Sequence, residues 1–319
     1  MNFATAGLLA LLATLATGAL AQSYPSRPLR ILVGFAPGGA ADITARLLGE
    51  KFTASMGANV VVDNRTGATG IIATDIVAKS APDGHTLGVF ALSFAINPSI
   101  RKLPYDTERD FTPITITATV PLVLVVTGSL PVRTVKELID MAKARPNALS
   151  VASSGAGSSP HLTAELFQLM TGVRMQHIAY KGSTAAHPEL IAGQVQVMFD
   201  TLVATTQLIK AGRLRALGVT SKNRAVEFPD VPAIAESVPG YESTSWGVLI
   251  APAKVPPAII DKLNKETVRA LHLPDVKERM ARLGAEVVGN TPAEARAFLR
   301  AEVEKWARTV KAAGITPEQ

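Results

Sequence analysis

The sequence predicts an α/β fold in two lobes with a ligand cleft between them. Three observations carry that prediction. Short β-branched runs alternate with longer amphipathic ones. The 319 residues are about twice the roughly 150 of a single domain. A glycine-rich turn joining a strand to a helix occurs once in each half, and clefts between domains are preferred ligand sites.

In chain order, residues 29–35 read as a strand and 42–55 as a helix. A second strand (59–63) passes through a glycine turn into a helix at 71–79, and 86–91 is a third strand. The pattern predicts mainly parallel pairing, as strand–helix–strand units require. Residues 114–126 are long and β-rich but contain Pro121, which a central strand tolerates badly, so this stretch is expected to pass from one sheet to another. The second set opens on a capping box at Thr134 and Glu137, which starts a helix ending at Arg145. Strand 149–153 feeds a helix at 161–170, with Ser159 as N-cap, Pro160 at the first helical position and Gly172 past its end. Strands at 175–178, 195–199 and 214–220 follow, with a helix ending near Gly212. The proline-rich residues 228–240 read as a connection, 245–251 as a strand returning to the first sheet, and the rest as three helical segments. The last of these opens on a second capping box, Thr291-Pro292-Ala293-Glu294. The expected division is a signal peptide at 1–21, a first lobe of 22–123 plus 246–319, and a second lobe of 124–245.

The first 21 residues carry no charge, run through an apolar Leu/Ala stretch and finish on Ala19-Leu20-Ala21, a small-x-small processing pattern. Export with cleavage after Ala21 is expected, which places the mature chain in the periplasm. Cysteine is absent, so disulfides, thiolate metal sites, a cysteine nucleophile and a lipidated cysteine are all excluded. The net charge of +6 and pI of about 9.6 come from dispersed Lys and Arg without interleaved aromatics. That distribution argues against nucleic acid and is compatible with an anionic small partner.

The turn at residues 34–42 contains Pro37-Gly38-Gly39 and Asp42, and the turn at 153–161 contains Ser154-Gly155-Ala156-Gly157-Ser158 and His161. A helix start presents unpaired N–H groups and a partial positive charge, while glycine lets a ligand approach the backbone closely. Both turns lie at strand C-terminal ends, where α/β ligands gather. Neither fits a nucleotide motif, and no Walker lysine pattern occurs. A third glycine loop, residues 64–70, is adequately explained as a structural turn. Ser154, His161 and Asp200 could compose a hydrolytic triad, but Gly-x-Ser-x-Gly is missing. The five histidines show no metal spacing, and no metal or cofactor is expected.

The order of further segments is specific. Val62-Asp63-Asn64-Arg65 precedes Gly67-Ala68; Pro82-Asp83-Gly84-His85-Thr86, Pro104-Tyr105-Asp106 and Asp110-Phe111 follow. Then come Tyr180-Lys181-Gly182, Pro229-Asp230-Val231-Pro232, Trp246-Gly247 with Ala251-Pro252, and Lys305-Trp306 with Ala313-Gly314-Ile315. Together with the two glycine-rich turns, this series resembles the Bug-type receptors of tripartite tricarboxylate transporters, over nearly the whole mature chain. Ala179 stands where a proline is usual, and Gln196 where an acid is common. The resemblance implies a periplasmic binding protein of the type II-like, Venus-flytrap kind, a non-enzymatic monomer that captures a di- or tricarboxylate, aromatic acid or acidic amino acid. Its implied partners are membrane permease subunits or, in a sensing role, a membrane signalling protein. The expected ligand-binding residues are Phe35, Pro37, Gly38, Gly39, Asp42, Ser93, Ser154, Gly155, Ala156, Gly157, Ser158, His161, Tyr180, Lys181, Gly182 and Asp200, with Phe35, Phe94 and Trp246 as apolar walls. One carboxylate is expected on the N–H groups around 155–158, helped by the Ser154 and Ser158 hydroxyls. Asp42 is expected either to cap its helix or to order water or a ligand donor.

Overall fold

A computed structural model describes residues 24–225, 228–282, 284–312 and 314. The expected signal peptide and its cleavage point after Ala21 lie outside the described residues.

Strand β1 (Leu29–Val33) leads into helix α1 (Ala40–Met56), β2 (Val60–Asn64) into α2 (Ile71–Ala78), and β3 (Thr86–Ala91) into the short α3 (Ser93–Ile100). β1 lies between β2 and β3 and runs parallel to both. Its alternate side chains serve opposite faces. Leu29, Ile31 and Val33 pack with Leu48 and Phe52 of α1. Leu32 joins Phe90, Phe94, Trp246 and Trp306 in a second cluster.

The joint of the molecule is β4 (Phe111–Thr127), a single strand of 17 residues that is buried along almost its whole length. Up to Pro121 it pairs with β9 (Thr244–Pro252). From Leu122 it pairs with β7 (Val197–Thr201), and from Val123 also with β8 (Leu214–Val219). Pro121 thus stands at the change of partners, where its missing N–H interrupts no continuing ladder. This is how one strand can serve two lobes.

The second lobe adds α4 (Val135–Ala144), β5 (Ser150–Ser153), α5 (Ser159–Thr171), β6 (Gln176–Ala179), α6 (Ser183–Ile191) and α7 (Leu202–Lys210). β5 is parallel to β6 and β7, repeating the arrangement around β1. The expectation of mainly parallel sheets holds only inside these units. β4 is antiparallel to β7, β8, β9 and the short β10 (Glu286–Val287), and β3 is antiparallel to β9. The strands that cross between lobes enter each sheet against the direction of its strand–helix units. Helices α8 (Pro257–Leu271), α9 (Pro274–Arg282) and α10 (Pro292–Ala312) complete the first lobe.

Local details follow the sequence with some shifts. The Thr134 hydroxyl accepts the Glu137 N–H at 3.1 Å. At Thr291 and Glu294 the capping box is reciprocal. The N-cap of α5 is Ser158 rather than Ser159: its hydroxyl accepts the His161 N–H, and that geometry needs a spacing of three residues. Gln196, in the acid-like position, accepts the Ser150 N–H at 2.9 Å. Helices α3 and α6 are absent from the sequence reading, and each contains a proline, Pro98 and Pro188. No helix among the described residues is long and apolar enough to cross a membrane.

Helix α5 ties the lobes together. Leu162 is buried in the first lobe's cluster beside Leu32 and Trp246, while Thr163 Oγ1, 2.7 Å from Ser243 Oγ, anchors the helix within its own lobe. The turn that starts α5 is therefore held against the first lobe.

Candidate functional site in the interlobe cleft

On the first lobe, the turn before α1 is held by a knot around Asp42, which is only 3% exposed. Asp42 Oδ2 accepts the Gly38 N–H at 2.9 Å, Oδ1 accepts Asn64 Nδ2 at 2.9 Å, and Arg46 Nε bonds both oxygens. Asn64 Nδ2 also donates to the Phe35 carbonyl at 3.0 Å. Burial pushes the Asp42 carboxyl up, but hydrogen bonds from Arg46, Gly38 and Asn64 and the Arg46 charge outweigh it and hold the group below its usual range. Asp42 does not cap α1 as one expectation had it; its carboxylate instead ties the Gly38 turn ahead of the helix to Asn64 and Arg46. Its charge is compensated by Arg46, so it does not oppose an anion at the turn. No side chain caps α1, and its first N–H groups, at Ala40 and Ala41, have no intrahelical acceptor. Pro37, Gly38 and Gly39 are exposed beside them, and Phe35 is half-buried. Ser93 opens α3, is 4% exposed, and lies against Gly70.

On the second lobe, the turn before α5 is more self-contained than expected. Gly155 N–H donates to Ser153 Oγ at 3.2 Å, Gly157 N–H to His161 Nδ1 at 3.0 Å, and Ser158 N–H to the Gly155 carbonyl at 3.1 Å. The Ser158 hydroxyl is 2% exposed and serves as the helix cap. Of the four N–H groups assigned to a ligand carboxylate, only that of Ala156 has no partner among the described residues. Ser154 is half-buried, and its hydroxyl is likewise uncommitted. The cradle therefore reduces to Ser154 and Ala156.

His161 is 8% exposed and stacks on His177 with centroids 3.9 Å apart. Burial, then the neighbouring His177, lowers its pKa to about 3, so the ring is neutral and Nδ1 is free to accept. His177 Nε2 lies 2.7 Å from Ser153 Oγ, which extends the same network.

The Tyr180-Lys181-Gly182 loop adjoins this turn through the Gly182 N–H to Ser154 carbonyl bond of 3.2 Å. The Tyr180 hydroxyl points away from it, donating to Glu189 at 2.5 Å. Burial and then that bond raise the Tyr180 pKa to about 12. Lys181 is exposed and has no ion-pair partner among the described residues. Asp200 is 1% exposed, accepting from the Ser183 hydroxyl and Thr201 N–H at 2.8 Å each and pairing with His187 at 2.8 Å. It braces the starts of α6 and α7, and nothing places it toward a ligand.

The conceivable triad is not assembled: Asp200 pairs with His187, and His161 with Gly157 and His177. Trp246 and Phe94 are core residues, each 2% exposed. The Trp246 indole donates to Glu302, and Phe94 packs on Phe111 at 5.4 Å. An indentation lined by Phe94, Thr107, Phe111, Arg296 and Arg300 lies at α10, and neither glycine-rich turn lines it. Thr69, in the loop expected to be only a structural turn, reaches across the cleft: its hydroxyl donates to the Ala156 carbonyl at 3.2 Å. Nothing in the sequence marks a contact between loops 87 residues apart.

Residues 44–315 match the model of the tripartite tricarboxylate transporter family receptor. The chain belongs to that family. BugT of Bordetella pertussis is 38% identical over 318 residues, 98% of this chain and 97% of BugT. Among solved structures, Rpa4515 of Rhodopseudomonas palustris, with adipate, is 36% identical at a TM-score of 0.88, over 92% of this receptor and all of that chain. The periplasmic binding protein BugD matches at 36% identity and a TM-score of 0.86, over 92% and 100%. MatC of the same Rhodopseudomonas, with bound malate, matches at 31% and 0.82, over 90% and 100%. The receptor is a Bug-type solute-binding protein with the two-lobed periplasmic binding fold.

Proposed function

We propose that this receptor captures a small dicarboxylate between its lobes in the periplasm and presents it to the membrane permease subunits of a tripartite transporter. The carrying observation is a set of unpartnered donors on each lobe: the uncapped start of α1 on one, and Ser154 with the Ala156 N–H on the other. Two such sets suit a ligand with a carboxylate at each end, as adipate and malate have in Rpa4515 and MatC. The exposed Lys181 adds positive potential at the second set.

The lobes divide where β4 changes partners after Pro121 and again between β8 and β9. Export would follow from cleavage after Ala21. The receptor acts as a monomer by binding, with no covalent step and no cofactor. Binding to the native state raises the melting temperature by linkage. A thermal-shift series of mono-, di- and tricarboxylates therefore tests the reading. Adipate or malate should stabilise the receptor and acetate should not; stabilisation by none of them at millimolar concentration would sink it.

A further inference from the structure

The loop between β2 and α2 has a backbone that ordinary residues avoid. Four successive residues have positive φ: Gly67 (131°), Ala68 (44°), Thr69 (54°) and Gly70 (90°). The two glycines adopt this readily; Ala68 and Thr69, with Cβ atoms, adopt it at a cost. Packing holds the loop there. The Thr69 carbonyl accepts Nδ2 of Asn97, itself 1% exposed, at 3.2 Å. At Gly34, a Cβ would lie 2.6 Å from Gly70 Cα, so the two loops meet backbone to backbone.

This conformation delivers the Thr69 hydroxyl to the second lobe. The peptide between Ala156 and Gly157 is gripped at both ends, its oxygen by Thr69 of the first lobe and its N–H by His161 of the second. Next to it, Ile100 of α3 fills the space that Gly157 leaves by lacking a side chain: a Cβ there would fall 2.1 Å from Ile100 Cδ1. These two cross-lobe contacts land on adjacent residues, beside the unpartnered Ala156 N–H.

The geometry points to Thr69 as a closure and positioning residue: its hydroxyl latches the closed lobes and sets the orientation of the peptide next to the Ala156 donor. This rests on the reading of the cleft as the ligand site. The strained backbone is what aims the hydroxyl, and lobe closure is a two-state equilibrium that one cross-lobe bond biases.

Because the chain has no cysteine, Val61→Cys and Leu169→Cys, at positions 50% and 46% exposed on different lobes, accept spin labels cleanly. Pulsed electron resonance then gives the ratio of closed to open distances, in buffer and in saturating adipate. Thr69→Val should shift that ratio toward open about two- to tenfold, the weight of one hydrogen bond, and Thr69→Ser should restore it. Thr69→Gly, which relaxes the backbone while removing the hydroxyl, should shift it the same way and so covers a valine variant that folds poorly. Ratios that match the unmodified protein for both Val and Gly variants, in both conditions, overturn the latch. Adipate having no effect on any variant would count against the dicarboxylate reading alone, since the comparison in buffer still judges Thr69.

Discussion

His161 Nδ1 accepts the Gly157 N–H at 3.0 Å. The bond requires an unprotonated ring, so the turn that starts α5 is linked to pH. In the unfolded chain the imidazole titrates near 6.5, whereas in the folded receptor burial and His177 lower it to about 3. Between these values the unfolded state binds more protons, so stability rises with pH. The contribution is complete above about pH 6.5 and is lost as pH falls toward 3. His177, also lowered by burial, acts in the same direction. Urea unfolding of the native chain and of His161→Gln, compared over this window, should show the native curve steeper by up to about 1.4 kcal/mol per pH unit, the weight of one proton. Parallel curves would mean that His161 does not titrate as described.

Asp42 makes a complementary prediction. Asp42→Ala removes the acceptor of the Gly38 N–H and one of the two acceptors of Asn64 Nδ2, which keeps the Phe35 carbonyl, a loss of about 0.5–1.5 kcal/mol per hydrogen bond in unfolding free energy. Arg46, with a side chain about half exposed, adds little because solvent screens it. Asp42→Asn keeps an acceptor and should cost less. Since the folded carboxyl lies below its ordinary value, this contribution is present above about pH 4 and is lost as pH falls. Equal stability of the Ala variant and the native chain would refute the knot.

The limits of the sequence reading have physical causes. The passage of one strand between sheets was legible because Pro121 inside a β-rich run is tolerated only where pairing changes. Helices α3 and α6 were hidden by Pro98 and Pro188, which fit helices too short to lose much by them. The two glycine-rich turns were visible as turns. Which of their N–H groups remain unpartnered depends on His161 and Ser153 folding back, and spacing does not encode that. Trp246 was expected as an apolar wall of the cleft; its indole N–H instead meets a buried carboxylate in α10, 56 residues away, a pairing that spacing does not mark.

That carboxylate is a sensitive point of the first lobe. Glu302 Oε2 accepts the indole N–H groups of Trp246 at 2.8 Å and Trp306 at 3.0 Å. Both rings are at most 2% exposed. Glu302→Leu leaves two buried donors unpaired, at about 1–3 kcal/mol each, while Glu302→Gln retains an acceptor and should cost less than half as much. These are the chain's two tryptophans, so intrinsic fluorescence during urea titration reads this joint directly. A Leu variant as stable as the native receptor would show that the shared acceptor contributes nothing.

The last prediction separates binding from folding at the turn before α5. Ser158 and Ser154 are near neighbours with different duties: the first caps the helix from a buried position, and the second keeps its hydroxyl free. Ser158→Ala should lower stability by about 0.5–2 kcal/mol, the cost of a lost N-cap, and leave the affinity for adipate nearly unchanged. Ser154→Ala should do the reverse, weakening adipate by about 1–3 kcal/mol, one hydrogen bond to a charged group, at little cost in stability. Lys181 tests the rival account in which a salt bridge holds the anion. An exposed pair is worth about 0–1 kcal/mol, so Lys181→Ala should fall below Ser154→Ala in its effect on affinity. Titration calorimetry with adipate, paired with urea unfolding of the same samples, places each variant on both axes. If Ser158→Ala abolishes binding while folding normally, or if Lys181→Ala alone does so, then the assignment of the carboxylate to Ser154 and the Ala156 N–H is wrong.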